Sequence, residues 1–176
     1  MMLTDFSSPP PEDLSSLQTD ASDIWCVERS NFDRSYDTSL QEASDFKGVF
    51  EVVRRSVKDL LGVERGGLDL YLRDLPLGVG AFHKVGTNAI VLNRALIDLI
   101  VKSQVAFAGI KSFVYSVLLH EYLHSLGIYD ELQVRRLTYQ ITRETLGQRH
   151  LATFLAKKGP WAVLKTGLNP VSSLWS

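Results

Sequence analysis

Three observations place the chain in the α+β class, mostly helical with a small mixed sheet of three or four strands. Apolar residues recur every three or four positions over residues 46–61, 95–101 and 134–141, the spacing of amphipathic helices. Between the first two stretches lie three short segments of strand character, separated by Pro/Gly turns and not by the helices that βαβ units would require. Residues 111–126 are apolar on every side, the pattern of a helix that is buried all round.

Each element has its own signal. Ser39 and Glu42 have the spacing of a capping box, ahead of a stripe formed by Phe46, Val49, Phe50, Val53, Val57, Leu60 and Leu61 that ends near Gly62. Leu68, Leu70 and Leu72 alternate with Asp69, Tyr71 and Arg73, so residues 67–75 read as a strand. Leu75-Pro76-Leu77-Gly78 turns the chain into a weaker strand from Val79 to Lys84. After Gly86-Thr87-Asn88, residues Ala89 to Leu92 read as a third strand. Asn93 is placed to cap a helix that Gly109 should break. The all-apolar helix follows and stops at Gly127. A further helix starts at Asp130 or Glu131 and ends at Gly147, and a last one runs from about His150 to Gly159-Pro160.

Composition narrows the class. With 176 residues, 45% hydrophobic and 22% charged, the chain can bury the core of one globular domain. No apolar run reaches the roughly 18 residues of a membrane span, and no basic segment precedes an apolar one near the N-terminus. The expected compartment is therefore the cytoplasm, with no membrane partner. A single cysteine, Cys26, excludes a disulfide framework and a multi-cysteine zinc finger. The net charge of −1 hides an asymmetry: residues 1–47 carry ten acidic and three basic side chains, the remainder ten acidic and sixteen basic. Residues 1–38, acidic and Pro/Ser-rich, are expected to form a disordered or loosely docked tail, and residues 39–176 the folded domain. Ile24, Trp25 and Val27 are apolar exceptions in that tail.

The chemistry sits in the buried helix, at His120-Glu121-Tyr122-Leu123-His124. Two histidines four apart share one helix face, so both imidazoles can meet one metal ion. Glu121 turns about 100° from His120, to the flank of that face, where it reaches a water and not the metal. Burying three polar groups in an apolar helix is unfavourable unless they are satisfied, and a cation would satisfy them.

His120-Glu121-x-x-His124 on a buried helix, after a helix, strands and a further helix, resembles the zincin metallopeptidases over roughly residues 40–147. The longer string His120-Glu121-x-x-His124-x-x-Gly127-x-x-Asp130 resembles the extended metzincin motif with Asp as third ligand; no methionine follows Met2, so a Met-turn is lacking. The resemblance implies a zincin-like fold with one zinc ion per chain, hydrolysis of peptide bonds, and Glu121 as the general base. It also implies that the last strand lies at the sheet edge and pairs with the substrate, a place that Ala89, Ile90 and Val91 occupy here.

Three residues compete as third ligand. Gly127 can take a positive φ and return Asp130 to the metal; Glu131 serves if the turn is one residue longer; Glu144 lies 20 residues after His124, similar to the gluzincin spacing. Asp130 leads, although Asp is also a common N-cap. Tyr129 and Tyr139 are candidate oxyanion donors, with core packing the commoner role. His83 is a lesser candidate on a strand near the cleft. Cys26 can act as a latency thiolate or simply pack beside Trp25. Arg135-Arg136 and Lys157-Lys158 read as solvated faces.

The expected function is zinc-dependent peptide hydrolysis, with a peptide or protein as partner. A catalytically silent zincin-like binding or regulatory protein is the alternative, and retention of Glu121 argues against it. A nucleic-acid-associated protease would rest only on the basic remainder of the chain.

Overall fold

A computed structural model describes residues 34–166. The expectations for residues 1–33, including those on Ile24, Trp25, Cys26 and Val27, lie outside the described residues. The described part is α+β, mostly helical, with one small mixed sheet. No described helix is long and apolar enough to cross a membrane.

The chain is helical over residues 34–42 (α1), across the expected boundary at 38/39. Tyr36 and Leu40 insert from α1 into the core, so the packed body takes in residues assigned to the tail by composition. Helix α2 spans Phe46–Leu61. Its cap is Asp45, whose carboxylate accepts the Gly48 N–H at 2.7 Å. Ser39 does not start it: that residue sits within α1, and its hydroxyl donates to the Ser35 carbonyl. The capping-box pair Ser39 and Glu42 thus falls within α1, and the apolar stripe from Phe46 belongs to α2 alone. The stripe does end at Gly62, in the left-handed region at φ 68°.

Strands β1 (Asp69–Arg73), β2 (Ala81–His83) and β3 (Ala89–Asn93) form a single sheet in the order β1-β3-β2. β1 runs parallel to β3, Asp69 opposite Ala89, and β2 runs antiparallel, Phe82 opposite Val91. β3 is thus the central strand and not the edge. Asn93 holds this arrangement together from a fully buried position. Its Nδ2 donates to the carbonyls of Pro76 (3.0 Å) and Val79 (2.7 Å), and its Oδ1 accepts from the N–H groups of Leu75 and Leu96. One side chain thereby satisfies the β1–β2 connection and caps α3 (Arg94–Lys102).

Helix α4 spans Phe107–Ser125, and every residue from Gly109 to Leu119 is buried. Gly109 does not break the preceding helix but lies in the first turn of α4. A Cβ there would stand 2.6 Å from Val105 Cγ1, so close packing explains the glycine. Helix α2, helix α5 (Glu131–Leu146), helix α6 (Leu151–Lys158) and strand β2 cover α4. A 3₁₀ turn at Pro160–Ala162 and helix α7 (Val163–Thr166) follow. Tyr115 crosses the core, its hydroxyl donating to Ser56 Oγ at 2.9 Å and lying 3.2 Å from Thr145 Oγ1, so its polar end is satisfied.

His150 caps α6: its Nδ1 accepts the Ala152 N–H at 3.1 Å, while Nε2 lies 3.3 Å from Asp37 Oδ1 on α1. Burial pushes its pKa below the ordinary histidine value, against the opposing pull of Asp37. The folded state therefore prefers the neutral ring. Its contribution is present above the unfolded pKa of about 6.5 and is lost as the pH falls through the lower folded value. His150→Asn, which caps without titrating, should make the loss of melting temperature on acidification smaller; the cap is worth about 1 kcal/mol, or roughly 2–4 °C in a domain of this size.

Candidate metal centre

The site begins where the cover of α4 ends. His120 and His124 stand one turn apart in its last two turns, with side chains 23% and 20% exposed. Their rings meet edge to face at 75°, with Nε2 atoms 3.2 Å apart. His124 is oriented from behind, its Nδ1 lying 2.8 Å from the Ile128 carbonyl oxygen. With the Nδ1–H donated there, the Nε2 lone pair is free for a ligand. Burial pushes the His120 pKa below its ordinary value, which favours the neutral form that binds metals.

After α4 the chain reverses. Leu126 and Gly127 close the helix, and Gly127 takes φ 90°, the left-handed conformation that its spacing predicts. The Ile128 N–H returns to the Leu123 carbonyl. This turn sets down two adjacent carboxylates in different roles. Asp130 is the N-cap of α5, its Oδ1 accepting the Gln133 N–H at 2.6 Å. Glu131, the first residue of the helix, turns back over α4: its Oε2 lies 3.4 Å from Nε2 of His120 and 3.4 Å from Nε2 of His124. Asp130, the favoured third candidate, is engaged in the cap, and the neighbouring Glu131, the second candidate, is the carboxylate brought to the two histidines. Glu144 does not join it; its carboxylate pairs with Arg143 at 2.8 Å.

The three ligand-capable atoms form a nearly equilateral triangle with sides of 3.2, 3.4 and 3.4 Å. A tetrahedral ion bonded at about 2.0–2.1 Å would separate its ligand atoms by about 3.3 Å. Two imidazoles and a carboxylate also suit zinc by donor type. Among the described residues this is the one group of three histidine, cysteine or acidic side chains so disposed. Glu131 Oε1 faces away, 3.7 Å from the Arg135 guanidinium.

Glu121 lies on the flank of the triangle. The backbone N–H of His83 on β2 donates to its Oε2 at 2.8 Å, and burial pushes its carboxyl up to about 7. His83 thus contributes its amide, while its ring Nδ1 lies 3.0 Å from the Ala89 carbonyl oxygen. Ala89, Ile90 and Val91 do not border the site as an edge, because β1 and β2 occupy both sides of β3. The edge beside α4 is β2. The bond from Asn93 N–H to Gly80 C=O places Phe82 in the inward-bonded register, so Ala81 and His83 turn their backbone groups outward.

His120, Glu121 and Glu131 open onto a cleft of about 780 Å³ between β2, α5 and α6. Tyr139 is half-buried in its wall, whereas Tyr129 is 64% exposed and outside it, so the expected core role fails for Tyr129. Arg65 carries no sequence signal. Its guanidinium donates to the Ser125 carbonyl and, at 3.0 Å, to the Thr87 carbonyl, while the Tyr122 hydroxyl accepts the Arg65 backbone N–H at 2.8 Å. It ties the end of α4 to the β2–β3 turn beneath the site.

Comparison with family models, curated proteins and solved structures finds no match for this chain.

No atom lies within 4 Å of a Cβ built on Gly127, so Gly127→Ala meets only the strain of its left-handed backbone. A loss of about 1 kcal/mol is expected in chemical denaturation.

Proposed function

We propose that the protein is a zincin-like metallopeptidase in which His120, His124 and Glu131 hold one zinc ion and Glu121 is the general base. The observation that carries the reading is the triangle, whose sides of 3.2–3.4 Å fit a tetrahedral ion closely. The second support is that a further carboxylate, Glu121, flanks it and opens onto the same cleft. The bound ion supplies an acidified water and polarises the scissile carbonyl.

The chain's own residues do the rest. His120 and His124 are held on a rigid buried helix, and Glu131 is carried to them by the Gly127 turn. Glu121 accepts a proton as the water oxygen bonds to the carbonyl carbon. It then delivers that proton to the amide nitrogen as the C–N bond breaks, so the products are a carboxylate and an amine. The His83 N–H fixes one carboxylate oxygen of Glu121 and leaves the other for this transfer. A carboxyl raised to about 7 by burial has the affinity for protons that a base working near neutrality needs, and a neighbouring cation draws it down from there. A peptide would lie along the outward side of β2.

Retention of Glu121 separates this reading from a silent binding protein, which needs no base at that position. Two measurements test it. Purified protein supplemented with zinc should bind about one equivalent and release it to a chelator. Glu131→Ala and His120→Ala should lose it, whereas Asp130→Ala should keep it and lose only the cap's roughly 1 kcal/mol of stability. Retention of zinc by Glu131→Ala together with its loss by Asp130→Ala would overturn the ligand assignment.

Glu121→Gln should keep both zinc and fold, because Glu121 is not a ligand. Peptide hydrolysis by that variant should fall by about 10²–10⁴, the range for removing a general base. A loss within about tenfold of the wild type would sink the role assigned to Glu121.

A further inference from the structure

The cleft beside the triangle is charged in one sense. Its acidic lining is confined to Glu121 and Glu131, both at the triangle. Farther along it are Arg136 on α5 and Lys157 and Lys158 at the end of α6, all exposed. Arg135 shares Glu131, but no acidic side chain among the described residues pairs with Arg136, Lys157 or Lys158. The helix dipole accounts for lysines in the last turn of α6; it does not account for Arg136 in the second turn of α5, near the positive end of that helix. Four cations from two helices converge on one concavity, where low-dielectric walls focus their field.

We infer that the cleft selects acidic peptides, with Asp or Glu side chains seated against Arg136, Lys157 and Lys158. This inference rests on the peptidase reading for the position of the scissile bond. Arg135 and Tyr139 stand one and two turns beyond Glu131, about 6 and 12 Å along α5. An extended peptide advances about 3.3 Å per residue. Arg136, five residues beyond Glu131, stands about 7.5 Å along the same helix, so the acidic side chain that meets it lies about two residues from the bond that is cut. Trp161, 37% exposed at the cleft wall, offers an apolar surface to the stems of those side chains. A nucleic-acid groove would need cations tracking a backbone over several phosphates; here they gather around a single cleft.

The test uses full-length, zinc-loaded Glu121→Gln protein and fluorescence anisotropy, so that binding is read without turnover. The probes are a labelled peptide with glutamates flanking its centre, the same peptide with glutamines, and an oligothymidylate of equal charge. The glutamate peptide should bind about tenfold or more tightly than its glutamine counterpart at low salt, and the difference should shrink as ionic strength rises toward about 0.15 M. Combining Arg136→Glu, Lys157→Glu and Lys158→Glu should abolish the difference, while Lys102→Glu on α3 should preserve it. Equal affinity for the two peptides would overturn the inference, as would tighter binding of the oligothymidylate. Cleavage of the glutamate peptide by zinc-loaded wild-type protein supports both readings. Selective binding without cleavage supports the charge assignment of the cleft and overturns the peptidase reading instead.

Discussion

The all-round burial of α4 is the constraint from which the rest of the structure follows. A single helix with no wet face must be enclosed, and α2, α5, α6 and the sheet edge β2 supply the enclosure. Each buried side chain of Leu or Phe size contributes roughly 1.5–3 kcal/mol, so Phe113, Leu118, Leu119 and Leu123 commit the chain to this arrangement strongly. Polar groups inside it are then tolerated only with partners. Ser116 bonds the Ser112 carbonyl, Tyr115 reaches Ser56, and Tyr122 accepts the Arg65 N–H. Two histidines and a glutamate are left for the end of α4, where the enclosure opens onto the cleft.

The exit from that helix decides what the histidines can become. Gly127 reverses the chain within a few residues, and the Ile128 carbonyl falls behind His124 while Glu131 falls in front of it. One turn thus supplies both the hydrogen bond that orients a ring and the carboxylate that faces it. Asp130 and Glu131 divide the work by side-chain length. The shorter one reaches the helix's own free N–H at Gln133, and the longer one spans the gap to α4. A rigid helix carries two of the three ligand-capable groups, and the start of a second helix carries the third. The geometry is therefore fixed by packed backbone on both sides and not by a free loop.

Residues whose role follows from local spacing were legible in the chain. The four-residue separation of His120 and His124, the left-handed Gly127, the cap at Asn93 and the helix start near His150 all stand as their patterns predict. What the chain hid depends on pairing across distance. The apolar run from Ala89 to Leu92 identifies β3 as a strand but carries no information on whether β1 adds to its far side. That single parallel pairing removes Ala89, Ile90 and Val91 from the edge. Gly109 misled for a related reason: a glycine that breaks a helix and one that lets Val105 approach closely look alike until the neighbour is known. The choice between Asp130 and Glu131 turned on one residue of turn length, which spacing alone leaves open. The cations of α5 and α6 look like solvated faces in the sequence because their convergence on one cleft exists only once the two helices are packed.

The join between the sheet and α4 constrains how the cleft can be used. In the β2–β3 register the outward backbone groups of β2 belong to Ala81 and His83. The His83 N–H is already taken by Glu121. An extended chain lying along this short edge would find its pairing groups mainly at Ala81 and at the His83 carbonyl, with Glu121 beside the next position. On the proposed peptidase reading, edge pairing and base placement share one residue: the bond that fixes Glu121 against the sheet would also set where along β2 a substrate bond comes under it. Backbone pairing over so short a strand gives little affinity by itself. Most of the discrimination between ligands must then come from the side chains of the opposite wall, which α5 and α6 provide.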